Sequence, residues 1–352
     1  LSKSAMFRLV WIQLFKRSPV NIRRLTLVPK GYNAKGLALF VSGLVANEKY
    51  DEAKAIIDRL KTMSCSGYSG KGWGYNFDWQ SRKFLTPKGT PNTVTTVFVA
   101  NALLDYYDKT SNTECLELAK EGCQFFLKNL ILFEDRKNLV IGYMPGNKTR
   151  VHNVNMLAAA LLARLYRLTE DSMYYEKSKK AMTYSVNALR PDYSWPYGEF
   201  SFQQWVDNFH TGFNLVARSD WMADTKDECC RQELSRAYEY YQRTFWQDDG
   251  CPKYYHNSLY PIDIHCAAQG IITFLKIVPD SEGTAEMARK IAGWAIANMQ
   301  DKEGYFYYQK GRWLTNKIPY IRWSQAWMFY ALSLLARHEN GGLQAADHLG
   351  QS

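Results

Sequence analysis

The stretch that decides the fold is "VDNFHTGFNLVARSDWM", residues 206–222. It opens with Asp207, Asn208 and His210 and continues as an apolar run. Asp and Asn are common N-cap residues, because their side-chain oxygens accept the free amides of a first helical turn. The stretch therefore predicts the start of a buried helix, with a carboxylate, an amide and an imidazole gathered at that start.

The same pattern of a polar cluster followed by an apolar helix occurs at five other places. The segments are "YNAKGLALFVSGLVA" (32–46), "TPNTVTTVFVANALLDYY" (90–107), "VHNVNMLAAALLARLYRL" (151–168), "YPIDIHCAAQGIITFLKI" (260–277) and "IPYIRWSQAWMFYALSLLAR" (318–337). Their polar starts, with that of the first stretch, are Asn33, Asn92, Asn153, Asn208, Asp263 and Arg322, at intervals of 59, 61, 55, 55 and 59 residues. Such a regular period indicates a repeated structural unit.

More strongly charged segments alternate with these apolar ones. They cover residues 50–63, 113–130, 172–189, 229–246 and 284–300, and each places its apolar residues on one helical face. A one-sided helix is typical of an outer layer, whereas a helix that is apolar all round is typical of an inner one. The sequence predicts an all-α fold, an (α/α)6 toroid or six-hairpin barrel, with short hairpins or loops at the cleft end where the inner helices begin.

No Pro/Gly/Ser linker interrupts the pattern, so residues 1–352 are expected to form one domain. In this prediction residues 1–30 supply the sixth outer helix and a lead-in, and residues 340–352 form a C-terminal tail. The amphipathic N-terminal helix is expected to pack on the protein, and peripheral contact with a membrane surface is the less favoured alternative. Seven cysteines without paired spacing are typical of reduced thiols in a cytoplasmic protein.

The net charge of +10 favours an anionic partner. In its predicted architecture, nearly the whole chain resembles the six-hairpin carbohydrate-active enzymes, which include glycoside hydrolases, uronate lyases and sugar epimerases. Locally, "WGYNFDWQ" (73–80), "DNFHTGF" (207–213), "PIDIHCAAQ" (261–269) and "IPYIRWSQAWM" (318–328) resemble an uncharacterised family associated with surface-polysaccharide gene clusters. The resemblance implies a carbohydrate substrate, and the net charge of +10 favours an acidic poly- or oligosaccharide as the partner; no nucleic acid is expected.

The candidate catalytic residues are the polar groups at the expected cleft end, because glycoside cleavage needs an acid and a carboxylate. They are Asp207, Asp263, His210, His265 and Asp78. Candidate substrate-binding residues are Arg322, as a clamp for a sugar carboxylate, with the polar and stacking groups Asn208, His152, Asn153, Trp73, Tyr75, Trp79, Tyr255, Tyr320, Trp323 and Gln325. Structural roles compete at each position, N-capping for Asp207 and Asp263 and an ion pair for Arg322. No cofactor or metal is expected, since metal-ligand spacings such as HExxH are absent.

Two chemistries compete within this hypothesis. A glycoside hydrolase would use Asp207 and Asp263 as acid and base, and the repeated Asp favours it. A polysaccharide lyase or uronyl C5-epimerase would neutralise a uronate with Arg322 or Asn208 and remove the C5 proton with a His or Tyr. Two further classes of protein stay open. One is a non-catalytic glycan-binding protein. The other is a terpenoid cyclase or prenyltransferase, because "MQDKEGYF" (299–306) resembles a motif of those enzymes.

Overall fold

The computed structural model describes residues 4–23, 25–80, 85–229, 231–277 and 282–349. Six helices form an inner ring: α2 (Ala34–Ala46), α4 (Thr93–Thr110), α6 (His152–Thr169), α8 (Asn208–Thr225), α10 (Ile264–Ile277) and α12 (Ala326–Leu349). Five pack outside it: α3 (Tyr50–Lys61), α5 (Thr113–Asn129), α7 (Ser172–Val186), α9 (Arg231–Phe245) and α11 (Glu282–Met299). A further helix, α1 (Ala5–Arg17), precedes the ring.

The inner ring is closed. Each inner helix packs against the next one in the chain, and α12 packs back onto α2, while each outer helix packs mainly on the inner helix that precedes it. Side chains from the first turns of α2, α10 and α12 contact one another, and side chains from the later turns of α4 and α6 form ion pairs. The inner helices are therefore parallel, and the predicted (α/α)6 toroid is confirmed.

The inner helices approach closely because small residues line their contacts. At Gly212, near the start of α8, an added Cβ would lie 2.7 Å from Cγ of Gln269 on α10. A larger residue would push α8 and α10 apart at the level of the polar helix starts. This glycine therefore helps to set the spacing of the site described below.

Short antiparallel strands cap the end of the toroid where the inner helices begin. The first hairpin joins β1 (Trp79–Gln80) and β2 (Leu85–Thr86), and the second joins β3 (Ile131–Glu134) and β4 (Leu139–Ile141). A three-stranded sheet has β5 (Ile262–Asp263) beside β6 (Gln309–Lys310), which pairs with β7 (Thr315–Asn316). These strands position the aromatic and polar groups before α4, α10 and α12.

The N-terminal helix differs from its prediction. Helix α1 packs on β1, where the Arg8 guanidinium donates to Gln80 Oε1 at 2.8 Å, and it does not occupy an outer position between α12 and α2. At the same end of the toroid, Tyr320 bonds Phe15 near the end of α1 and Arg23 after it, and Asn316 bonds the Ser18 carbonyl. The predicted C-terminal tail, residues 340–352, also differs in part, because α12 continues to Leu349. Residues 350–352 of the tail lie outside the described residues.

Within the described residues no helix is long and apolar enough to cross a bilayer. The six cysteines that the structure describes form no disulfide with one another. Cys230, the seventh, lies outside the described residues.

Candidate functional site

Polar side chains bond the first-turn amides of four of the inner helices that the structure describes. The side chains of Asn33 and Asn92 accept amides of the first turns of α2 and α4, and Asp207 does so for α8. Asp263 accepts the amide of His265 at 3.0 Å at the start of α10. Since the helices are parallel, these caps all lie at one end of the toroid.

Asp207 and His210 form a buried hydrogen-bonded pair. Nδ1 of His210 lies 2.7 Å from Oδ2 of Asp207, and the backbone amide of His210 donates to Oδ1 at 3.0 Å. The indole of Trp205 donates to Oδ2 at 3.0 Å. An ionised carboxylate only accepts, so Nδ1 carries the proton and Nε2 is the basic nitrogen. Nε2 has no hydrogen-bond partner among the described residues, and the ring is one-fifth exposed.

Asp263 is fully buried and held by three donors. The His265 amide and the Trp323 indole (2.8 Å) donate to Oδ1, and the Gln309 amide donates to Oδ2 at 3.0 Å. All three contacts use it as an acceptor, which orients Trp323 and the first turn of α10.

His265 is buried without a hydrogen-bond partner for either ring nitrogen. Its ring stacks on Phe209, with centroids 4.6 Å apart, and contacts Trp323 and Trp327. Burial, and then the charges of Lys35, His210 and Arg322, hold the pKa of His265 well below its ordinary value. The imidazole of His265 is therefore neutral.

Two cations at this end have no carboxylate partner. The Lys35 ammonium lies 4.4 Å from the ring centroid of Phe98 and 5.1 Å from that of Trp327. Arg322 lies over Tyr75 and Phe77, at 5.0 and 5.3 Å. Within the part of the chain that the structure describes, neither cation forms an ion pair or a hydrogen bond. The alternative role for Arg322, a structural ion pair with an Asp of a neighbouring repeat, is therefore not observed there. Burial, and then the Arg322 charge, lowers the pKa of Lys35 well below its ordinary value.

The opposite end of the toroid is different. A cavity of about 300 Å³ follows the axis there, roofed by Phe98, Phe213 and Trp327. Its charged lining residues pair with one another: Arg164 with Asp105 and Asp108, Arg167 with Asp224, and Lys276 with Asp220. Because these charges are already compensated, the unpaired cations at the helix starts mark the stronger candidate for an anionic ligand.

A tyrosine wall borders Arg322. The hydroxyls of Tyr75 and Tyr143 lie 2.8 Å apart, and the half-buried Trp79 contacts both rings. Burial, and then Tyr75, raises the pKa of Tyr143 well above its ordinary value. Sequence reasoning missed Tyr143, whose only signal was its position in the aromatic turn after β4. It also missed the layer of Phe98, Phe213 and Trp327, because apolar residues inside an inner helix look like ordinary core.

Several sequence-predicted site residues lie elsewhere. Trp73 is fully buried and its indole donates to the carbonyl of Leu60, so this stacking candidate is a core residue. Asn208 is buried and accepts the hydroxyl of Tyr241 on α9, which directs it toward the outer layer. The ring of His152 faces Tyr184 of α7, and burial lowers its pKa to about 4. The structure therefore corrects these three predictions: Trp73 packs in the core, and the side chains of Asn208 and His152 contact the outer helices α9 and α7.

Three more candidates have structural contacts. The exposed Asp78 accepts the Lys88 amide within the β1–β2 hairpin. Gln325 bonds the backbone of Phe306 through both side-chain atoms, and the Tyr320 hydroxyl accepts from Arg23. These three side chains hold loops in place and do not face Lys35 and Arg322. The structure therefore does not bring Asp78, Gln325 and Tyr320 into the group around His265.

Two candidates remain beside the group. The Oδ1 atom of Asn153, on the first turn of α6, is buried without a hydrogen-bond partner. Tyr255 is half-buried, and its backbone pairs with that of Asp207. The structure thus brings together Asp207, His210, Asp263, His265, Arg322, Trp323 and Tyr75 with Lys35.

The fold and these helix starts define the class of architecture: a six-hairpin (α/α)6 toroid with charged and aromatic side chains gathered at one end. No family model and no curated protein matches the chain. Solved structures do match it. A family 76 α-mannanase from Bacteroides thetaiotaomicron is 13% identical, with a TM-score of 0.68, over 89% of this chain and 88% of that one.

Two other similar structures carry different activities. The cellobiose 2-epimerase from Bacillus thermoamylovorans is 13% identical, with a TM-score of 0.66, over 88% of each chain. The unsaturated glucuronyl hydrolase from Bacillus sp. GL1 is 12% identical, with a TM-score of 0.55, over 70% of this chain and 74% of that one. At such identities the likeness shows the shared fold, and function must be argued from the site.

Proposed function

We propose that this protein is a carbohydrate-active enzyme that binds an anionic sugar, of the uronate class, and moves a proton with His210. The observation that carries the proposal is the pair of unpaired cations, Lys35 and Arg322, beside an Asp207–His210 dyad. A buried cation without a carboxylate is costly, and a bound anion would offset that cost. The sugar-active enzymes with the same fold add an analogy, which is weaker support.

Arg322 is the group best suited to hold the sugar carboxylate. Its guanidinium presents parallel N–H donors that match a carboxylate, and the Tyr75 and Phe77 rings beneath it fix its plane. Lys35 would supply a second positive charge once a carboxylate is bound, because the anion offsets the burial that lowers the pKa of this ammonium. Together the two cations neutralise the carboxylate, which makes the C–H bond next to it more acidic.

His210 is the proposed base. Asp207 fixes its Nδ1–H, so the basic Nε2 can accept the C5 proton of the uronate. Return of a proton to the opposite face would epimerise C5, and loss of the O4 substituent would cleave the chain as a lyase does. The sequence favoured hydrolysis, whereas this geometry favours proton abstraction, because Asp207 and Asp263 are already held by N–H donors.

Glycoside hydrolysis is the second candidate. The observation in its favour is that Asp207 and Asp263 start the adjacent helices α8 and α10 and are both buried. In that reaction one would protonate the glycosidic oxygen and the other would activate water or attack the anomeric carbon. The α-mannanase and the unsaturated glucuronyl hydrolase are hydrolases on the same fold.

One experiment separates these reactions. The protein is incubated in deuterated water with uronate-containing polysaccharides and with neutral ones. Deuterium at C5 reports proton abstraction, ultraviolet absorbance of unsaturated uronates reports elimination, and new reducing ends alone report hydrolysis. His210→Gln should reduce deuterium incorporation or elimination roughly 10²- to 10⁴-fold, the usual contribution of a general base.

His256→Gln is the matched control, since this histidine is exposed and bonds the carbonyl of Val206. Equal turnover of neutral and acidic sugars would contradict the anionic substrate. Full activity in His210→Gln would contradict the proposed base. Sugar binding without any product would assign the protein to the glycan-binding class.

A further inference from the structure

Helix α1 is apolar on two opposite faces. Leu9, Ile12 and Phe15 are turned toward the body of the protein and are buried or half-buried. The opposite face is exposed and consists of Met6, Phe7, Val10, Trp11 and Leu14, with Val10 53% and Leu14 59% exposed. An exposed apolar face of this extent is typical of an interaction surface.

The positive charge of the protein is concentrated in the same segment. Residues 1–30 contain seven Lys and Arg and no Asp or Glu. The other 322 residues carry 37 basic and 34 acidic side chains, so most of the net charge of +10 belongs to this segment. An apolar helical face within a strongly basic segment is the pattern of a helix that lies on an anionic membrane.

A second exposed feature lies beside it. The tip of the β6–β7 hairpin carries Trp313, which is 89% exposed, and Leu314. The segment "KGRWLTNK" (310–317) has three basic residues and no acidic one. The Asn316 side chain donates to the carbonyl of Ser18 at 3.0 Å, which ties this hairpin to the end of α1.

We propose that α1 and the β6–β7 tip bind the surface of a lipid bilayer that contains anionic headgroups. The apolar side chains would enter the boundary between headgroups and acyl chains, where Trp is favoured, and the basic residues would contact the headgroups. A second copy of the chain is a poorer occupant, because two such basic segments would repel each other across a symmetric contact.

The proposed membrane surface lies at the cleft end of the toroid. Arg8 contacts β1, and Arg23 donates to Tyr320, two residues from Arg322. Membrane binding would hold the cleft mouth beside the bilayer, where a sugar carried on a membrane lipid would be within reach. The binding itself does not depend on the proposed reaction, so the two proposals can fail separately.

Vesicle sedimentation tests the proposal. The full chain should bind vesicles of equal parts phosphatidylcholine and phosphatidylglycerol, bind weakly to pure phosphatidylcholine, and dissociate as salt is raised. Val10→Glu/Leu14→Glu should lower the partition coefficient roughly tenfold or more, because two charges enter the apolar face. Met173→Glu/Ile296→Glu is the matched control, with the same charge change at exposed apolar residues of the outer helices α7 and α11.

Three results would overturn the proposal. The first is no sedimentation with anionic vesicles, and the second is equal loss of binding in both double variants. The third is a dimer in analytical ultracentrifugation that Val10→Glu/Leu14→Glu dissociates, which would assign the face to a second copy. Both variants place charge at exposed positions, so circular dichroism should show an unchanged fold in each.

Discussion

Replacing Lys35 by Met should stabilise this protein while weakening its affinity for an anionic sugar. The Lys35 residue is 6% exposed, and its ammonium has no hydrogen bond or ion pair within the described residues. Burying such a charge costs several kcal/mol, whereas its contacts with the Phe98, Phe213 and Trp327 rings return about 2 kcal/mol when desolvated. Met keeps an unbranched chain that can fill the same space. The free energy of unfolding should therefore rise by about 1–3 kcal/mol.

The pH dependence gives an independent check on this reasoning. The pKa of Lys35 is lowered in the folded protein, so the unfolded chain binds more protons as the pH approaches 10.5. Wild-type stability should rise through that alkaline window as the cost of the buried charge disappears. The advantage of Lys35→Met should be largest near neutral pH and shrink as the pH rises.

The assay is urea unfolding near neutral and at alkaline pH, combined with calorimetric titration of glucuronate and glucose. Lys137→Met is the matched control, since Lys137 is exposed in the β3–β4 turn and should change neither quantity. The reasoning is refuted if Lys35→Met lowers stability and leaves glucuronate affinity unchanged. In that case the contacts with the aromatic rings would be stabilising, and Lys35 would be structural.

Three further predictions concern neighbouring groups. His265→Phe should raise the free energy of unfolding by about 1–3 kcal/mol, because the change removes two unsatisfied nitrogens from an aromatic pocket. It should also reduce turnover. A lower free energy of unfolding would contradict the prediction. Arg322→Lys should weaken uronate binding roughly 10- to 100-fold and spare the neutral sugar; equal losses for both ligands would remove Arg322 from the site. The pKa of His152 is about 4 in the folded protein and near 6.5 in the unfolded chain, so the unfolded chain binds the extra proton as the pH falls from 7 to 5. Over that range the free energy of unfolding of the wild type should fall by about 2 kcal/mol more than that of His152→Asn. Parallel profiles of the two proteins in urea unfolding against pH would contradict this prediction.

Sequence alone determined the architecture. The capping side chains at Asn33, Asn92 and Asp207 and the interval of 55–61 residues predict six inner helices with their starts at one end. Capping is a contact over three residues, and amphipathicity is a property of one helix, so both are visible in the chain. The ring of parallel helices then brings the starts together.

Tertiary structure decided which residues share the cleft. An inner helix is apolar on every side, so its pattern does not say which residue faces the axis, and each residue turns about 100° from the last. Asn208 therefore faces Tyr241 of the outer layer, while His210, two positions later, pairs with Asp207 at the cleft. The position of α1 on β1 depends on contacts between distant segments, and so does the lack of an ion pair for Lys35 and Arg322 among the described residues. Only the folded chain determines such contacts, because they join residues that the local pattern treats as independent.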